Sequence, residues 1–348
     1  MKAGILMKPF ISVIVTVYNL EKYITDCLDS LKKQTYDNFE VVIVNDGSKD
    51  ASAAIVEEYI SKNQLNNYHL HTKENNGISS TRNYGVNKSK GDWLFFLDGD
   101  DWLEPNALSI LAESALKNNS DLVIGGYQAV DDTTKNTEVW SDYPKEYGIL
   151  PQDFDGIHSF GFCWGRLYKK SIITEYNIRF DERIPYAEDN AWNFDYNRHV
   201  KSYSCSNKII YNYRINRGGA LTTKLITPQM KYHVWEHMEK FIKTYDETDL
   251  AQAIRTNPGL NRVFWRVVST AIINDILDKK TDLAKEKRKM YLTQVSANSF
   301  NARSKKDKFF LIIFKKSFLL LRIFVLIYYN NFEKIRNSRF LKNISKAE

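Results

Sequence analysis

The chain has 348 residues, 43% of them apolar, enough to bury a sizeable core and too many for a disordered polymer. Its formal charge of +7 is not spread evenly: residues 301 to 348 hold twelve Lys or Arg against three acids, so the preceding part is close to neutral. That placement argues against a nucleic-acid-binding body, which would carry its basic patch on the folded domain. The three cysteines, Cys27, Cys163 and Cys205, lie far apart with no CxxC and no partner histidine at metal spacing. They read as reduced thiols of a cytosolic protein, not as a zinc site or a disulfide framework. The opening MKAGILMKPF is too short and too weakly apolar for a signal peptide.

In chain order, "ISVIVTV" (11 to 17), "FEVVIVN" (39 to 45), "YHLHT" (68 to 72), "WLFFLD" (93 to 98) and "DLVIGG" (121 to 126) predict strands. Helical spacing falls between them, at 20 to 33, 51 to 62, 78 to 89 and 105 to 118, with Asn19 and Ser48 as expected caps and Pro105 in a first turn. This alternation predicts right-handed crossovers and an α/β fold with a mainly parallel central sheet, followed by a helical C-terminal region. Ligands of such sheets gather at the carboxyl ends of the strands.

The residues expected at those ends are Thr16, Tyr18 and Asn19, then "NDGS" (Asn45 to Ser48), then "ENNG" with Asn75 to Gly77, then Asp98, Asp100 and Asp101. Singly each suits an ordinary turn. Together they favour a nucleotide site. The chain has neither GxGxxG after its first strand nor GxxxxGK[ST], so a diphosphate would need neutralising by other means. Asp98 and Asp100, flanking Gly99, offer hard oxygens suited to Mn²⁺ or Mg²⁺, which bind through one or two carboxylates plus ligand phosphates. The alternative for an isolated DGDD is an acidic turn with no ion.

"ISVIVTVYN", "VVIVNDGSKD", "NNGISSTRNYGV" and "WLFFLDGDDWLEP", in this order and spacing, resemble the nucleotide-sugar-binding half of glycosyltransferase family 2, over about residues 10 to 220. The resemblance implies the GT-A fold and an inverting mechanism. It places Thr16 and Tyr18 against the nucleoside, Asn75 at the nucleotide, and Asp46 as acceptor from the base N3. Arg82 would reach back to the base and the neighbouring acids, Asp98 would sit at the ribose and metal, and Asp100 would bind the metal directly. Glu188-Asp189, in "RIPYAEDNAWNFDY", resembles the family's Glu-Asp pair; Asp189 would then be the general base, with Glu188 orienting it or binding acceptor hydroxyls. Read without the family, the pair supplies favourable charge to the first turn of a helix over 189 to 198.

"FCWGRLYKK" (162 to 170) resembles the family's sugar-pocket segment, with Trp164 either stacking on a sugar or filling the core. "YNYRINRGGALTT" (211 to 223) either folds over the diphosphate through Arg214 or Arg217 or is a surface loop. The Gln-x-x-Arg-Trp motif of processive members is missing; "NRVFWRV" (261 to 267) does not match it, which points to addition of a single sugar.

The chain thus divides into a catalytic domain over 1 to 225, with a donor half at 10 to 126 and an acceptor and base half at 127 to 225. A helical region over 226 to 300 and a basic amphipathic tail over 301 to 348 follow. In the tail, Lys315, Lys316 and Arg322 interrupt an apolar run over 308 to 329 before it is long enough to span a bilayer. On a helical wheel they share one sector with Lys308, the pattern of a helix in an anionic membrane interface. A helix completing the core or a homo-oligomer contact is the other reading. The expected activity is transfer of one sugar from a nucleotide-sugar, foremost a UDP-sugar, to a saccharide acceptor carried on a lipid, by a protein peripheral on the cytoplasmic face of the membrane. The rivals are a nucleotidyltransferase and a catalytically inactive glycan-binding scaffold.

Overall fold

The structure is a computed structural model. It describes residues 8 to 141, 143, 145 to 150, 153, 162 to 185, 187 to 216, 232 to 244 and 258 to 294, and, between 312 and 326, all but 313, 315 and 324. The strands are β1 (Ile11–Val17), β2 (Phe39–Asn45), β3 (Tyr68–Thr72), β4 (Trp93–Asp98), β5 (Trp102–Leu103), β6 (Leu122–Asp131), β7 (Thr137–Trp140), β8 (Tyr147–Ile149), β9 (Arg166–Lys169) and β10 (Ser202–Ile215). The helices are α1 (Ile24–Lys32), α2 (Ser52–Asn63), α3 (Ile78–Lys88), α4 (Ala107–Asn118), α5 (Lys170–Glu175), α6 (Glu188–Asn197), α7 (Tyr232–Thr244), α8 (Pro258–Leu277) and α9 (Thr281–Gln294).

The sheet runs β3-β2-β1-β4-β9-β6-β10-β5, with β7 added to β6 and β8 to β10. Strands β1 to β4 are parallel, as the crossovers require, and β6 and β10 are parallel to each other. Strand β9 is inserted antiparallel between β4 and β6. The four donor-half strands match their predicted spans; the fifth runs on to Asp131, past the level of the DGDD turn.

Side chains alternate across the pleat, so each central strand feeds two cores. Phe95, Leu97 and Val13 face α1, α2 and α4, whereas Ile14, Leu94 and Phe96 face the side of α6 to α8. There Phe96 meets Phe180 and Trp192 edge-on at 5.3 and 5.4 Å, and Phe180 stacks on Trp192 at 4.2 Å. Full burial of each such ring contributes about 1.5–3 kcal/mol. Gly85 lets α3 lie close on β1, since a Cβ there would stand 2.3 Å from the Ile14 side chain.

The expected caps are not caps. The N-cap positions are Tyr23, Ala51 and Asn106, none with a side-chain capping bond, and Pro105 precedes the helix it was placed in. Asn19 and Ser48 instead stitch two loops at the sheet edge. The Asn19 N–H donates to the Ser48 hydroxyl at 3.0 Å, the Lys49 N–H donates to Asn19 Oδ1 at 2.8 Å, and Asn19 takes φ 53 to allow it. Small polar side chains serve this purpose as readily as a helix start.

The helical region packs directly on the helix that carries the predicted base. Met238 and Phe241 of α7 share a core with Phe194 of α6, and His237 lies 2.7 Å from Asp195 of α6 and 3.1 Å from Asp181. Burial lowers the His237 pKa, but the two carboxylates outweigh it and hold the ring above its usual value.

The tail joins the same core. Phe314, Leu321 and Val325 are buried, Phe314 meets Trp265 edge-on at 5.0 Å, and the Arg288 Nε–H donates to the Phe314 carbonyl at 2.7 Å. On the other side Ile312, Leu319, Leu320 and Ile323 are exposed beside Lys316 and Arg322. One face therefore completes the fold, which the sequence reading offered only as an alternative to the membrane. Lys308, Lys315 and the residues beyond 326 lie outside the described residues. Among the described residues no helix is long and apolar enough to cross a membrane.

Candidate active site

The parallel register delivers the predicted residues to one edge. Thr16 stands opposite Asp98 in the β1–β4 pair, and its hydroxyl donates to Asp98 Oδ1 at 3.2 Å. Tyr18, one residue past β1, keeps its ring largely exposed. Asp46 is almost fully buried just beyond β2. Its Oδ1 accepts from the Asn76 N–H at 3.1 Å and from Lys73, and its Oδ2 accepts from the Gly77 N–H at 3.0 Å. In the structure Asp46 thus anchors the 75-to-77 loop; a carboxylate's remaining lone pairs still allow it to receive a ligand N–H. Asn75 is exposed on that loop. Lys73, which the sequence reading missed, is the ion-pair partner of Asp46.

The DGDD turn divides its three acids. Gly99 sits under Thr16, where a Cβ would come 2.7 Å from the Thr16 carbonyl; close approach, not an unusual φ, is what this glycine provides. Asp98 is held by Thr16 and by Arg82. Asp101 turns inward and is buried, accepting from the Tyr211 hydroxyl at 2.7 Å and from the Arg214 N–H at 2.8 Å. Burial, then the charges of Asp100 and Asp98, raise its pKa well above the usual carboxylate range. Arg214 braces the turn from behind. Its Nε–H donates to the Asp100 carbonyl at 2.8 Å, while its other nitrogens pair with Asp132 and Asp26 at 2.9 and 2.8 Å. The guanidinium also lies over Trp102 and Tyr23. Of the two readings of the 211-to-223 segment, neither described Arg214 as a brace for the turn; Arg217 lies outside the described residues.

Arg82 is the centre of the site. It is buried, donates from Nη2 to Asp98 at 2.9 Å and from Nη1 to Glu188 at 2.6 Å, and lies over the Phe180 ring. Burial opposes its charge, yet the neighbouring Cys163, Asp98, Glu188 and Asp189 raise its pKa overall. One guanidinium thereby joins the donor turn to the first turn of α6. The helix begins at Glu188, one residue earlier than predicted, behind Ala187 in a left-handed conformation at φ 66. That conformation is unfavourable for alanine and is the kind of strain found where side chains must be aimed. Asp189 is half-buried, and its Oδ1 accepts from the Asn190 N–H at 2.8 Å. Burial of its carboxyl, then the Glu188 charge, raise its pKa well above the usual range; Arg82 pulls the other way.

Trp164 is only 5% exposed, sandwiched between Tyr211 at 4.5 Å and Phe162 at 4.4 Å, so it fills the core instead of offering a face to a sugar. Among the described residues no three His, Cys, Asp or Glu side chains converge as a preformed metal cage. The DGDD turn thus separates its acids, with Asp98 held beside Thr16 and Arg82 at the sheet edge and Asp101 withdrawn inward.

The family model described as Glycosyl transferase family 2 matches residues 12 to 176. The chain is 37% identical over 216 residues to EpsH of Bacillus subtilis (strain 168), 60% of this chain and 61% of that protein, so it spans about three fifths of that relative. It is 31% identical over 255 residues to the same organism's EpsJ, named an uncharacterised glycosyltransferase, covering 72% of this chain and 73% of EpsJ. The crystal structure of S. aureus TarS 1–349 in complex with UDP-GlcNAc superposes with a TM-score of 0.70 at 22% identity, over 93% of this chain and 92% of that one, which shows a shared GT-A fold. The extent of the EpsJ match and the family model together settle the assignment that the four motifs anticipated: the chain belongs to glycosyltransferase family 2.

Proposed function

We propose that this protein moves a single sugar from a UDP-sugar to a saccharide acceptor carried on a lipid, with inversion, in the synthesis of a surface polysaccharide or glycoconjugate. The observation that carries the reading is the Arg82 bridge, which places the donor turn and the carboxylates of α6 around one buried cation. The complex of the TarS structure with UDP-GlcNAc supports the choice of donor. A divalent ion, Mn²⁺ or Mg²⁺, would be held by Asp100 and Asp98 and would supply neutralisation of the diphosphate charge. Thr16, Tyr18, Asn75 and Asp46 bind the nucleoside, while Arg82 holds Asp98 in place. Asp189 takes the acceptor hydroxyl proton as the acceptor oxygen bonds to the anomeric carbon; the bond from that carbon to the diphosphate oxygen breaks, and the diphosphate leaves with the electron pair. Glu188, fixed by Arg82, keeps the first turn of α6 aimed at the acceptor.

A thermal-shift screen of nucleotide-sugars with Mn²⁺ tests this reading, since a ligand that binds the native state stabilises it as RT ln(1 + [L]/Kd). UDP-sugars should raise the melting temperature, and one of them should slowly release UDP. Asp100→Asn should lose only the part of the shift that Mn²⁺ confers. Equal UDP shifts for both proteins with and without Mn²⁺ would remove the metal from the reading; no shift with any nucleotide-sugar would favour the inactive glycan-binding alternative.

The exposed tail face supports contact with an anionic membrane: isoleucine and leucine interleave with Lys316 and Arg322 on the side away from the core. Leu319→Glu with Ile323→Glu should keep the melting temperature and abolish sedimentation with anionic vesicles. Native-chain binding should weaken with salt, which screens charge beyond about 8–10 Å near physiological ionic strength. Binding that ignores both lipid charge and these substitutions would exclude this face. Deleting residues 305 to 348 is a different test, because removing Phe314, Leu321 and Val325 opens the helical core and should lower stability.

A further inference from the structure

The segment that leads into α6 is held from two sides. On one side α3, the helix of Arg82, grips it. Asn83 Nδ2 donates to the Phe180 carbonyl at 2.9 Å and to Glu182 at 3.1 Å, Asn83 Oδ1 accepts from the Phe180 N–H at 2.9 Å, and the Ser79 hydroxyl donates to the Ile184 carbonyl at 3.4 Å. On the other side stands α7. Its His237 is buried, with Nε2 at 3.1 Å from Asp181 in that segment and Nδ1 at 2.7 Å from Asp195 in α6. One imidazole therefore joins the segment to a point on α6 about 9 Å beyond Asp189 along the helix.

Each ring nitrogen faces a carboxylate oxygen. A neutral imidazole has one N–H and one lone pair, so it would set that lone pair against one of the two anions; only the imidazolium donates to both. Asp181 does not resolve the conflict by taking the proton, because it also accepts from Arg183 Nε at 2.9 Å and Nη2 at 2.6 Å. Burial opposes its charge, but hydrogen bonds from Arg183 and His237 hold its pKa below the usual carboxylate range. Arg183 also pairs with Glu236 of α7 at 2.7 Å, Arg198 of α6 lies 3.7 Å from Asp195, and His233 of α7 lies 3.6 Å from Glu236. Among the described residues α8 adds apolar side chains to this core, its Asp275 being paired with Lys287 of α9. With the ring protonated, His237, Arg183 and Arg198 match Asp181, Asp195 and Glu236. Without that proton one carboxylate is left over.

We infer that His237 is a positioning residue for Asp189: its imidazolium pins α6 and the segment before it to the helical region, and losing the proton frees the first turn of α6 and slows transfer. The left-handed Ala187 lies between the pinned segment and Asp189, and such a conformation persists only where the surroundings impose it. Here they are α3, through Asn83 and Ser79, and α7, through His237. A misplacement of about 1 Å caused away from the chemistry costs up to about 10²-fold in rate.

The role rests on Asp189 being the base of a transferase, and its test separates the two. Release of UDP from UDP-glucose, UDP-galactose or UDP-N-acetylglucosamine, with water in place of the acceptor, gives kcat against pH. ¹H–¹⁵N NMR of the imidazoles gives the protonation of His237 in the same chain, its signal identified by its absence from the variants. The ring should titrate above the ordinary histidine value of about 6.5, because two carboxylates favour its charged form, and kcat should fall on an alkaline limb with the same midpoint at unchanged donor KM. His237→Lys keeps its proton through this range, so it should retain most of kcat and lose the limb. His237→Gln should lower kcat about 10- to 10²-fold, again with donor KM unchanged and no limb. Stability should follow the ring: its folded pKa exceeds the unfolded one, so the native melting temperature should fall as pH rises from about 6.5 through the titration, a fall that His237→Lys lacks. A ring already neutral at about pH 6, a kcat that stays level while the ring titrates, or a limb that survives in His237→Lys would each overturn the positioning role. No UDP release from any of the three donors, at any pH, would overturn the transferase reading and the role with it, even with the ring titrating as expected.

Discussion

Asp189→Asn is expected to lower kcat by at least about 10²-fold while leaving donor affinity close to that of the native chain. Asparagine keeps the shape of the side chain and the start of α6 but cannot accept the acceptor proton. A collapse of donor affinity instead would make Asp189 a binding residue and place the base elsewhere. The pH profile gives a second reading. A base works only when ionised, and the Asp189 carboxyl is pushed above its usual range by burial first and by the Glu188 charge second. The rate should therefore fall as pH drops through that raised value, on a limb lying above the ordinary carboxylate pKa of about 3.9. Asp189→Asn should abolish the limb along with the rate.

Stability should move in the opposite direction. A carboxyl whose folded pKa exceeds its unfolded value binds more protons in the native state over the interval between them, so the protein loses stability as pH rises through it. Above the folded value the ionised group remains a cost, which Asp189→Asn removes. The variant should then melt higher than the native chain at neutral pH. An inactive variant with a lower melting temperature would mean that Asp189 holds the helix together, and that its catalytic assignment rests on lost structure.

The donor half was legible because its information is local. Short apolar runs separated by 20 to 22 residues of turn and helical spacing fix β1 to β4 and their shared direction, so Thr16, Asp46 and Asp98 reach one edge by register alone. The acceptor half was not, because β9 and β10 find their places by pairing with strands far away in the chain. Nothing within "RLYK" announces that it will lie antiparallel between β4 and β6. The same limit hid the brace of Asp101 by Tyr211 and Arg214, which stand more than a hundred residues away from it. A signal was present in the third acid of DGDD, since two carboxylates suffice for an ion and a third needs another use. In the tail, periodicity alone could not decide between lipid and protein. Phe314, Leu321 and Val325 share a buried ridge, and the exposed sector keeps its leucines and isoleucines beside the cations.

Arg82→Met should be among the most destabilising single changes in the catalytic domain and should disable the site as well. The guanidinium is 5% exposed at its side chain and pairs with Glu188 and Asp98, themselves only 11% and 25% exposed. Removing one partner of such a group leaves charge without compensation, at a typical cost of about 3–5 kcal/mol. Lysine should not substitute, because a single ammonium on a flexible stem cannot hold two carboxylates in the planar fork that Arg82 uses. Urea melts of Arg82→Met and of Arg82→Met with Glu188→Gln separate the roles. The double variant removes one unpaired charge and should recover part of the stability, but without the bridge from turn to helix it should recover little transfer activity. Full recovery of activity with stability would reduce Arg82 to a structural counter-ion; a single variant as stable as the native chain would mean that solvent reaches the two carboxylates freely and that the buried bridge does not organise the site.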